Sequence, residues 1–461
     1  MTKVYHRTYH SRRAQYDKIR AVIEGEDELK KQGEVFLPRP EGLTNQQYVR
    51  YLAGNSFYAV AERTLTGLVG AVTRNPPILE LPPRLEPMRE AATFEGNALD
   101  VLIADTLREV LSVGRRALVV DYPTDGAAPA SAPFIAAFDA EAILDWRVEL
   151  VDGRQKLTYL RLHEDNDDLA DTGVEQHMVL TLEPAYTVRR FHVTRGKSDQ
   201  ATEQVEIHDP VVPVVNGSPL FDIPAVIISP RDLKVDVEKP PLLDLVNVNL
   251  AHYRVSADYY WSLFLTSQPT PWVAGNLNET QAPRQIGSGA FWVLPEGATA
   301  GMLEFTGAGI NALKTALDDL TAQMASLGAR MVHSGKGRNE TEGTASLRVK
   351  DELSLLHSSV VMVEAGLRKL LRIAAEWSQP GTADQVNLTL HRDFVSSQLD
   401  PATLTALIKA YTAGAISHDT FLMNLKKGEL MDVNRAFDDE RDLIEEDGAI
   451  LPFPVAQGAS V

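Results

Sequence analysis

The segment HEDNDD at residues 163–168 has five side chains that could bind a hard cation. An EF-hand calcium loop also needs a central glycine and a terminal bidentate Glu, and this segment has neither at the required spacing. Hairpin loops favour Asp and Asn, whose side chains bond to nearby backbone. A solvated turn between strands is therefore favoured over a metal site, and the sequence predicts no bound metal.

The tripeptide GKG at 335–337 invites comparison with a phosphate-binding loop. That loop requires G-x-x-x-x-G-K followed by Ser or Thr, which holds magnesium. Here the glycine spacing differs and Gly337 stands where the hydroxyl residue belongs. The sequence also lacks G-x-S-x-G, H-E-x-x-H and any cysteine, so it offers no catalytic residues and no cofactor site. We expect a protein that is not an enzyme.

Two cations, Lys336 and Arg338, lie in the glycine-rich segment HSGKGRNETEGTAS. One interpretation is a disordered surface linker. The other is a pair of cations that touch and release a passing polyanion, with glycine giving mobility. The neighbouring Glu340 and Glu342 would then prevent permanent capture.

Composition limits the possible functions. The 461 residues predict two to four compact units, and the formal charge of −18 argues against a conventional nucleic-acid binder. Such acidity suits a surface that DNA passes without sticking. Neither a signal peptide nor an apolar run long enough to span a membrane is evident, so we expect a cytosolic chain or part of a soluble assembly.

The N-terminal half of the chain is predicted to contain both helices and strands. Apolar periodicity predicts helices at 56–71 and 94–113, and a strand at 115–123. Alternating segments predict an antiparallel meander of four strands at 156–164, 178–184, 187–194 and 203–209. The chain up to about residue 236 is thus a mixed α+β domain.

Long helices are predicted at 240–268, 309–332 and 345–378, with three short strands between the first two. Trp272 and Trp292 in this small insert are candidates for its core, for interface anchors, or for both. Six polar residues are scattered around the first helix, which favours side-by-side packing in a ring over burial within one subunit: Asp244, Asn247, Asn249, His252, Arg254 and Asp258.

Three segments carry a resemblance to a known family: PPLLDLVNVNLAHYRVSADY, GARMVHSGKGRNETEGTASLRVKDELSLL, and GRRALVVDYP with its downstream LDWR. They resemble the portal proteins of tailed bacteriophages, the ring-shaped head–tail connectors at one capsid vertex. The similarity extends from about Tyr51 to Trp377. The order of elements agrees with it beyond any one motif.

The resemblance implies an α+β portal-type fold with wing, two-helix stem, small β-rich clip and helical crown. The loop with Lys336, Arg338 and Asn339 would be the tunnel loop facing DNA, and Trp272 and Trp292 would lie at the clip interface. The implied divisions are wing 1–236, first stem helix 237–268, clip 269–310, second stem helix 311–332, tunnel loop 333–344, long wing helix and return strand 345–394, and crown with C-terminal tail 395–461.

The resemblance also implies partners. These are eleven further copies in a dodecameric ring, transiently bound double-stranded DNA, the terminase large subunit, a head-completion adaptor, the major capsid protein and the scaffold. The protein would be assembled in the bacterial cytoplasm and reside in the virion as the channel for DNA packaging and ejection, away from membranes. Alternatives are another virion ring component, of tail or baseplate, and a carboxylate-based hydrolase using the acidic clusters.

Overall fold

A computed structural model describes residues 4–122, 133–151, 153–169, 172–195, 201–215, 217–267, 270–275, 292–303, 308–328, 342–392, 401–427, 431 and 437–446. The chain forms two compact units. The first comprises Met1–Val69 with Leu79–Leu388, and the second Gly70–Ile78 with Thr389–Val461. Among the described residues, no helix combines the length and apolarity needed to cross a membrane.

The fold mixes helices with antiparallel sheets, as predicted. The helices are α1 His10–Glu24, α2 Glu26–Gln32, α3 Asn45–Ala53, α4 Val60–Thr73, α5 Leu99–Ser112, α6 Leu243–Thr266, α7 Ala308–Ser326, α8 Glu342–Ser378, α9 Pro401–Thr412, α10 His418–Lys427 and α11 Phe437–Glu446. The strands are β1 Ile78–Glu80, β2 Arg116–Asp121, β3 Phe134–Asp139, β4 Ile143–Val151, β5 Arg154–Glu164, β6 Val174–Leu182, β7 Tyr186–Arg195, β8 Ala201–Glu206, β9 Val214–Val215, β10 Ser218–Pro219, β11 Ala225–Ile228, β12 Thr270–Ala274, β13 Thr299–Leu303 and β14 Asn387–Thr389.

The predicted meander is confirmed and gains one strand. Strands β4 to β8 pair antiparallel in chain order. The acidic segment 163–168 begins at the end of β5, and its residues 165–168 lie between β5 and β6, where a turn was predicted. A second sheet has the order β11-β2-β3. Alternation along β5 places Leu160 and Leu162 in the main core and Arg161 and His163 on the opposite face.

Trp146 on β4 joins this core to the N-terminal segment. The His6 ring stacks on its indole at 4.0 Å, and the Arg115 guanidinium lies 4.0 Å from the indole centroid. The Arg115 side chain also donates to the Val235 carbonyl at 2.9 Å, and burial lowers its pKa to about 10. An aromatic surface and a carbonyl thus partly replace the water that this buried cation lost.

Arg20 anchors α1 through a forked contact. Its guanidinium donates to both carboxyl oxygens of Glu109 at 2.7 and 2.5 Å, and to those of Glu141 at 3.0 and 2.9 Å. Burial raises the pKa of Glu109. Burial also acts to raise the pKa of Glu141, but the hydrogen bonds and the positive charge of Arg20 together lower it below its usual value. The planar fork therefore holds two carboxylates of separate elements in one geometry.

Helix α8 packs against α5, β2 and β11. Its buried positions recur every three or four residues, as a one-faced helix requires: Leu356, Val360, Val363, Leu367, Leu370, Leu371 and Ala374. At Gly366 an added Cβ would come within 2.6 Å of the Ile228 side chain, which is itself fully buried. The close approach of α8 to β11 therefore requires glycine at this position.

Some elements differ from the predictions. Helices α2 and α3 lie in a region with no predicted element, and residues 292–295 are not a strand, although the apolar segment around them predicted one. Within the stretch expected to form the crown and C-terminal tail, the acidic residues from 438 onward begin in a helix, α11. Its first turn contains Asp438, Asp439 and Glu440, where carboxylates stabilise the positive end of the helix dipole.

In the second unit, α9 and α10 form a helical hairpin, which the sequence itself predicts from Pro401 at a helix start and a break at Gly414. The chain turns at Gly414, whose φ of 68° lies in the left-handed region that glycine adopts without strain. The Tyr411 and Phe421 rings stack with centroids 4.6 Å apart, and Arg441 of α11 forms an ion pair with Asp419 of α10.

Two glycine substitutions should have opposite effects on stability. Gly366→Ala should lower the free energy of unfolding by about 1–2 kcal/mol, because overpacking against Ile228 exceeds the gain in helix propensity. Gly70→Ala should raise it by about 0.5–1 kcal/mol, because an added methyl at this exposed α4 position meets no atom within 4 Å. Urea unfolding followed by circular dichroism measures both. Equal stability of the two variants would contradict the close-packing account.

Candidate assembly surface on the α6–α7 hairpin

Helix α6 changes character along its length. Eight side chains are buried between Leu243 and Ala257, which we call the inner part of α6. Over residues 258–267, all of them described, no side chain is buried. This outer part spans roughly 15 Å at 1.5 Å per residue. The helix therefore begins in the core and continues out of it.

The start of α6 depends on a close turn. Pro240 and Pro241 precede it, and a Cβ at Gly114 would lie 3.0 Å from the Pro241 ring. Gly114 has a φ of 84°, so both space and backbone conformation favour glycine. The end of α5 and the start of α6 are thereby brought together, and Leu242 N–H donates to the Ser112 carbonyl at 3.4 Å.

Asn249 is fully buried at the centre of the inner part. Its Nδ2 donates to the Tyr58 carbonyl at 2.8 Å, and its Oδ1 accepts from the Ala61 N–H at 3.0 Å. Ala61 lies in the first turn of α4, whose N–H groups have no partner within the helix. Asn249 therefore caps α4 from another helix.

Other polar groups of α6 also have partners within the chain. Arg254 Nε donates to the Phe36 carbonyl at 2.8 Å, and Lys18 Nζ donates to Asn247 Oδ1 at 3.1 Å. The Tyr51 hydroxyl donates to Asp258 Oδ1 at 2.7 Å, and burial together with this hydrogen bond raises the pKa of Tyr51.

These contacts correct one expectation from sequence. The polar residues of α6 were expected to be unburied within one subunit and to pack between copies. Asn249 is buried within its own chain, and Arg254 and Asp258 are engaged by it. The first 61 residues supply their partners, which periodicity along α6 alone could not reveal.

The outer part of α6 is aromatic instead. Trp261 meets the Tyr51 ring edge-on at 5.9 Å and stacks on Phe264 at 5.5 Å. Phe264 is 62% exposed, and Tyr260 and Leu265 are exposed beside it. Large apolar side chains in a continuous exposed group indicate a contact surface.

Helix α7 packs against α6. Its apolar residues follow a three-four spacing, typical of two helices packed side by side: Ile310, Leu313, Leu317, Leu320 and Met324. Among residues 309–326, Met324 alone is buried, and a Cβ at the following Gly328 would lie 3.4 Å from Thr64 of α4. The C-terminal end of α7 therefore returns to the core that α6 left.

Between the helices, β12 and β13 form a two-stranded sheet. Trp272 pairs with Gly301, and a Cβ there would lie 2.9–3.0 Å from the Trp272 indole. The indole thus lies against its own sheet while remaining 44% exposed. Trp292 is half-buried, and its neighbour Val293 is exposed. Lys336, Arg338 and Asn339 lie outside the described residues.

We name the α6–α7 hairpin as residues 243–267 and 308–328 with β12 and β13. Its exposed large apolar side chains are Tyr260, Phe264, Leu265, Trp272, Met302 and Leu327. Sequence reasoning singled out Trp272 in this set but missed the others, because an apolar residue in a long helix is usually assigned to a core.

Comparison with protein families gives one match. The model described as "Domain of unknown function (DUF4055)" matches residues 241–378, from just before α6 to the end of α8. The match covers under a third of the chain. A comparison of this chain with curated proteins finds no match.

Solved structures of gene transfer agent (GTA) particles contain similar chains. One in the virion of the native GTA particle is 14% identical with a TM-score of 0.43, covering 86% of this chain and 96% of that one. A second, in the neck of the empty particle computed with C6 symmetry, is 13% identical with a TM-score of 0.42 and coverages of 86% and 96%. A third, in the neck of the native particle computed with C12 symmetry, is 15% identical with a TM-score of 0.40 and coverages of 86% and 98%. These similarities are too distant to carry a functional argument.

Asn249 and Asn247 offer a matched pair for testing the inner part of α6. Asn249→Ala leaves the Ala61 N–H without a partner in a buried site and removes one of the two hydrogen bonds that the Tyr58 carbonyl accepts, which should cost about 1–3 kcal/mol. Asn247→Ala removes an exposed contact to Lys18 and should change stability by about 0.5 kcal/mol or less. Thermal and urea unfolding measure both losses. Losses of similar size would show that Asn249 does not hold α4 on α6.

Proposed function

We propose that this chain is a structural protein of a phage-type virion that assembles into a ring, and specifically that it is the portal protein. The observation that carries the proposal is the α6–α7 hairpin. Helix α6 leaves the core after Ala257 and packs against α7. The outer part of α6 exposes aromatic side chains that α7 does not cover. Such a hairpin is incompletely covered in a single subunit.

Neighbouring copies would supply the missing cover. A ring is the simplest closed arrangement in which one side of each hairpin contacts a different side of the next. The polar groups on the inner part of α6 already have partners within the chain, so assembly does not need to satisfy them. Contact between copies would instead bury Tyr260, Phe264 and Leu265.

A DNA channel agrees with the distribution of charge. Asp318 and Asp319 are exposed on α7, and the whole chain is strongly acidic. A passage of this kind would repel phosphates and avoid retention. In this proposal the segment between α7 and α8 is the tunnel loop, and Lys336, Arg338 and Asn339 supply brief contacts to the passing duplex.

The proposed role also names partners. The β12–β13 module is the clip on which the terminase large subunit docks during filling and the head-completion adaptor docks afterwards. The α+β part contacts scaffold and major capsid protein. The chain would hydrolyse no nucleotide, since the motor that drives packaging is a separate protein.

Electron microscopy of the purified protein tests ring formation. We expect closed rings, near twelvefold, for the natural sequence, and loss of rings for Phe264→Ser, because the variant removes a large apolar contact. Phe94→Ser, at an exposed phenylalanine outside the hairpin, is the matched control and should keep the rings. A natural protein that remains a monomer or dimer under all conditions would refute the ring. Rings that bind tail proteins and ignore the packaging ATPase would move the assignment to tail or baseplate.

A double variant tests the tunnel loop. Lys336→Ala with Arg338→Ala should reduce DNA packaging or retention while leaving rings intact, because two transient phosphate contacts are lost. The control removes two exposed cations elsewhere, Arg231→Ala with Lys234→Ala. Packaged DNA per particle is the readout. Loss of rings in the loop variant alone would show that the loop is structural.

A further inference from the structure

Two histidines face each other across the β5–β6 pair. His163 and His177 are direct partners in the register, and their ring centroids lie 5.9 Å apart at an interplanar angle of 78°. They lie on the face of the sheet opposite Leu162 and Met178, which belong to the main core. This pair belongs to neither the hairpin nor the tunnel loop.

A carboxylate completes the group. One donor atom from each of His163, Glu175 and His177 lies within 4.8 Å of the other two. His177 Nε2 and Glu175 Oε2 are 3.1 Å apart. Ligands in a tetrahedral site at 2.0–2.1 Å from zinc are separated by about 3.3–3.4 Å, so this pair is already near the required spacing.

The burial of His177 is the second observation. The residue is fully buried, and within the part of the chain that the structure describes its Nδ1 has no hydrogen-bond partner. A buried histidine with a purely packing role normally has both nitrogens satisfied. Among the described residues, the ring makes a single hydrogen bond, through Nε2 to Glu175, the other candidate ligand.

A fourth ligand is within reach. Asp165 Oδ1 lies 3.3 Å from His163 Nε2, and the Asp165 side chain is almost fully exposed and hence able to reorient. Arg161 lies on the same face, and its positive charge would repel a metal ion. Its Nη2 donates to Gln204 at 2.8 Å, and its guanidinium lies 5.9 Å from the Phe191 ring centroid. With Asp165 as the fourth ligand, two carboxylates would neutralise the divalent ion itself, while the charge of Arg161 also interacts with Asp145.

We propose that His163, Glu175 and His177 form a zinc site that joins β5 to β6, with Asp165 or water as the fourth ligand. Two imidazoles and a carboxylate suit Zn²⁺ better than Mg²⁺ or Ca²⁺, which take oxygen ligands. The ion would take the place of the proton on His177 Nε2, which moves to Nδ1 of the same neutral ring, while His163 moves by about 1 Å to reach bonding distance. The site links the two strands beside the turn that connects them.

Zinc binding by the full-length protein is the test. After treatment with a chelator and dialysis, calorimetric titration with ZnCl₂ should show one site per chain, and zinc should raise the temperature of unfolding. His163→Ala and Glu175→Gln should each weaken binding ~10-fold or more. His208→Ala, at an exposed histidine outside the group, should bind as the natural protein does.

Cobalt provides a readout that depends on geometry. Co²⁺ in this site should give the intense visible bands of tetrahedral coordination, and these should be absent in His163→Ala. Far-ultraviolet circular dichroism checks that each variant is folded. Zinc binding that is equal in His163→Ala and His208→Ala, or that is missing from the natural protein, would overturn the proposal.

Discussion

The inner part of α6 is the constraint on which the rest of the first unit depends. A buried amide, Asn249, binds the Ala61 N–H in the first turn of α4 and the Tyr58 carbonyl just before it, and this fixes both the rotation and the height of α4 relative to α6. A buried amide with an unpaired group would cost free energy, so only one register of the two helices is satisfied. The register of α4 on α6 is thus specified by the hydrogen bonds of one buried amide within an otherwise apolar contact.

The same constraint separates two tasks along one helix. The inner part binds its own chain through Asn249, Arg254 and neighbouring buried side chains, while the outer part presents aromatic rings. The exposed rings become available only because α6 continues past the core without interruption. A shorter helix would end where the core ends, and β12 and β13 would then lack the outer part of α6, which carries them.

Much of the fold could be predicted from the sequence because it depends on local periodicity. The long helices, the meander and the hairpin of the second unit follow from apolar spacing and from breakers such as Gly414. Helices α2 and α3 were missed, since they are short and mostly polar. Contacts outside the helix also hold α3 in place, such as the Tyr48 hydroxyl donating to the Leu37 carbonyl.

The candidate sites depend on information that is not local. Tyr51, Tyr58 and Ala61 are about 190–210 residues away from the α6 groups that they bind, so no window along the sequence joins them. The pairing of His163 with His177 requires the register of β5 and β6, and a shift of one residue would place the two rings on opposite faces. The sequence shows which residue types are present, but the distances between their side chains depend on how the helices and strands pair.

The hairpin can also be considered as a lever. Both of its helices are anchored at the same end, α6 through its inner part and α7 through Met324 and Gly328, so a push on β12 or β13 produces a torque at that end. The Tyr51–Asp258 hydrogen bond lies where α6 leaves the core, and it is therefore the first bond to carry a bending load. A load on β12 or β13 would thus reach the first 61 residues before the five-stranded sheet, which they contact through the His6 and Trp146 rings.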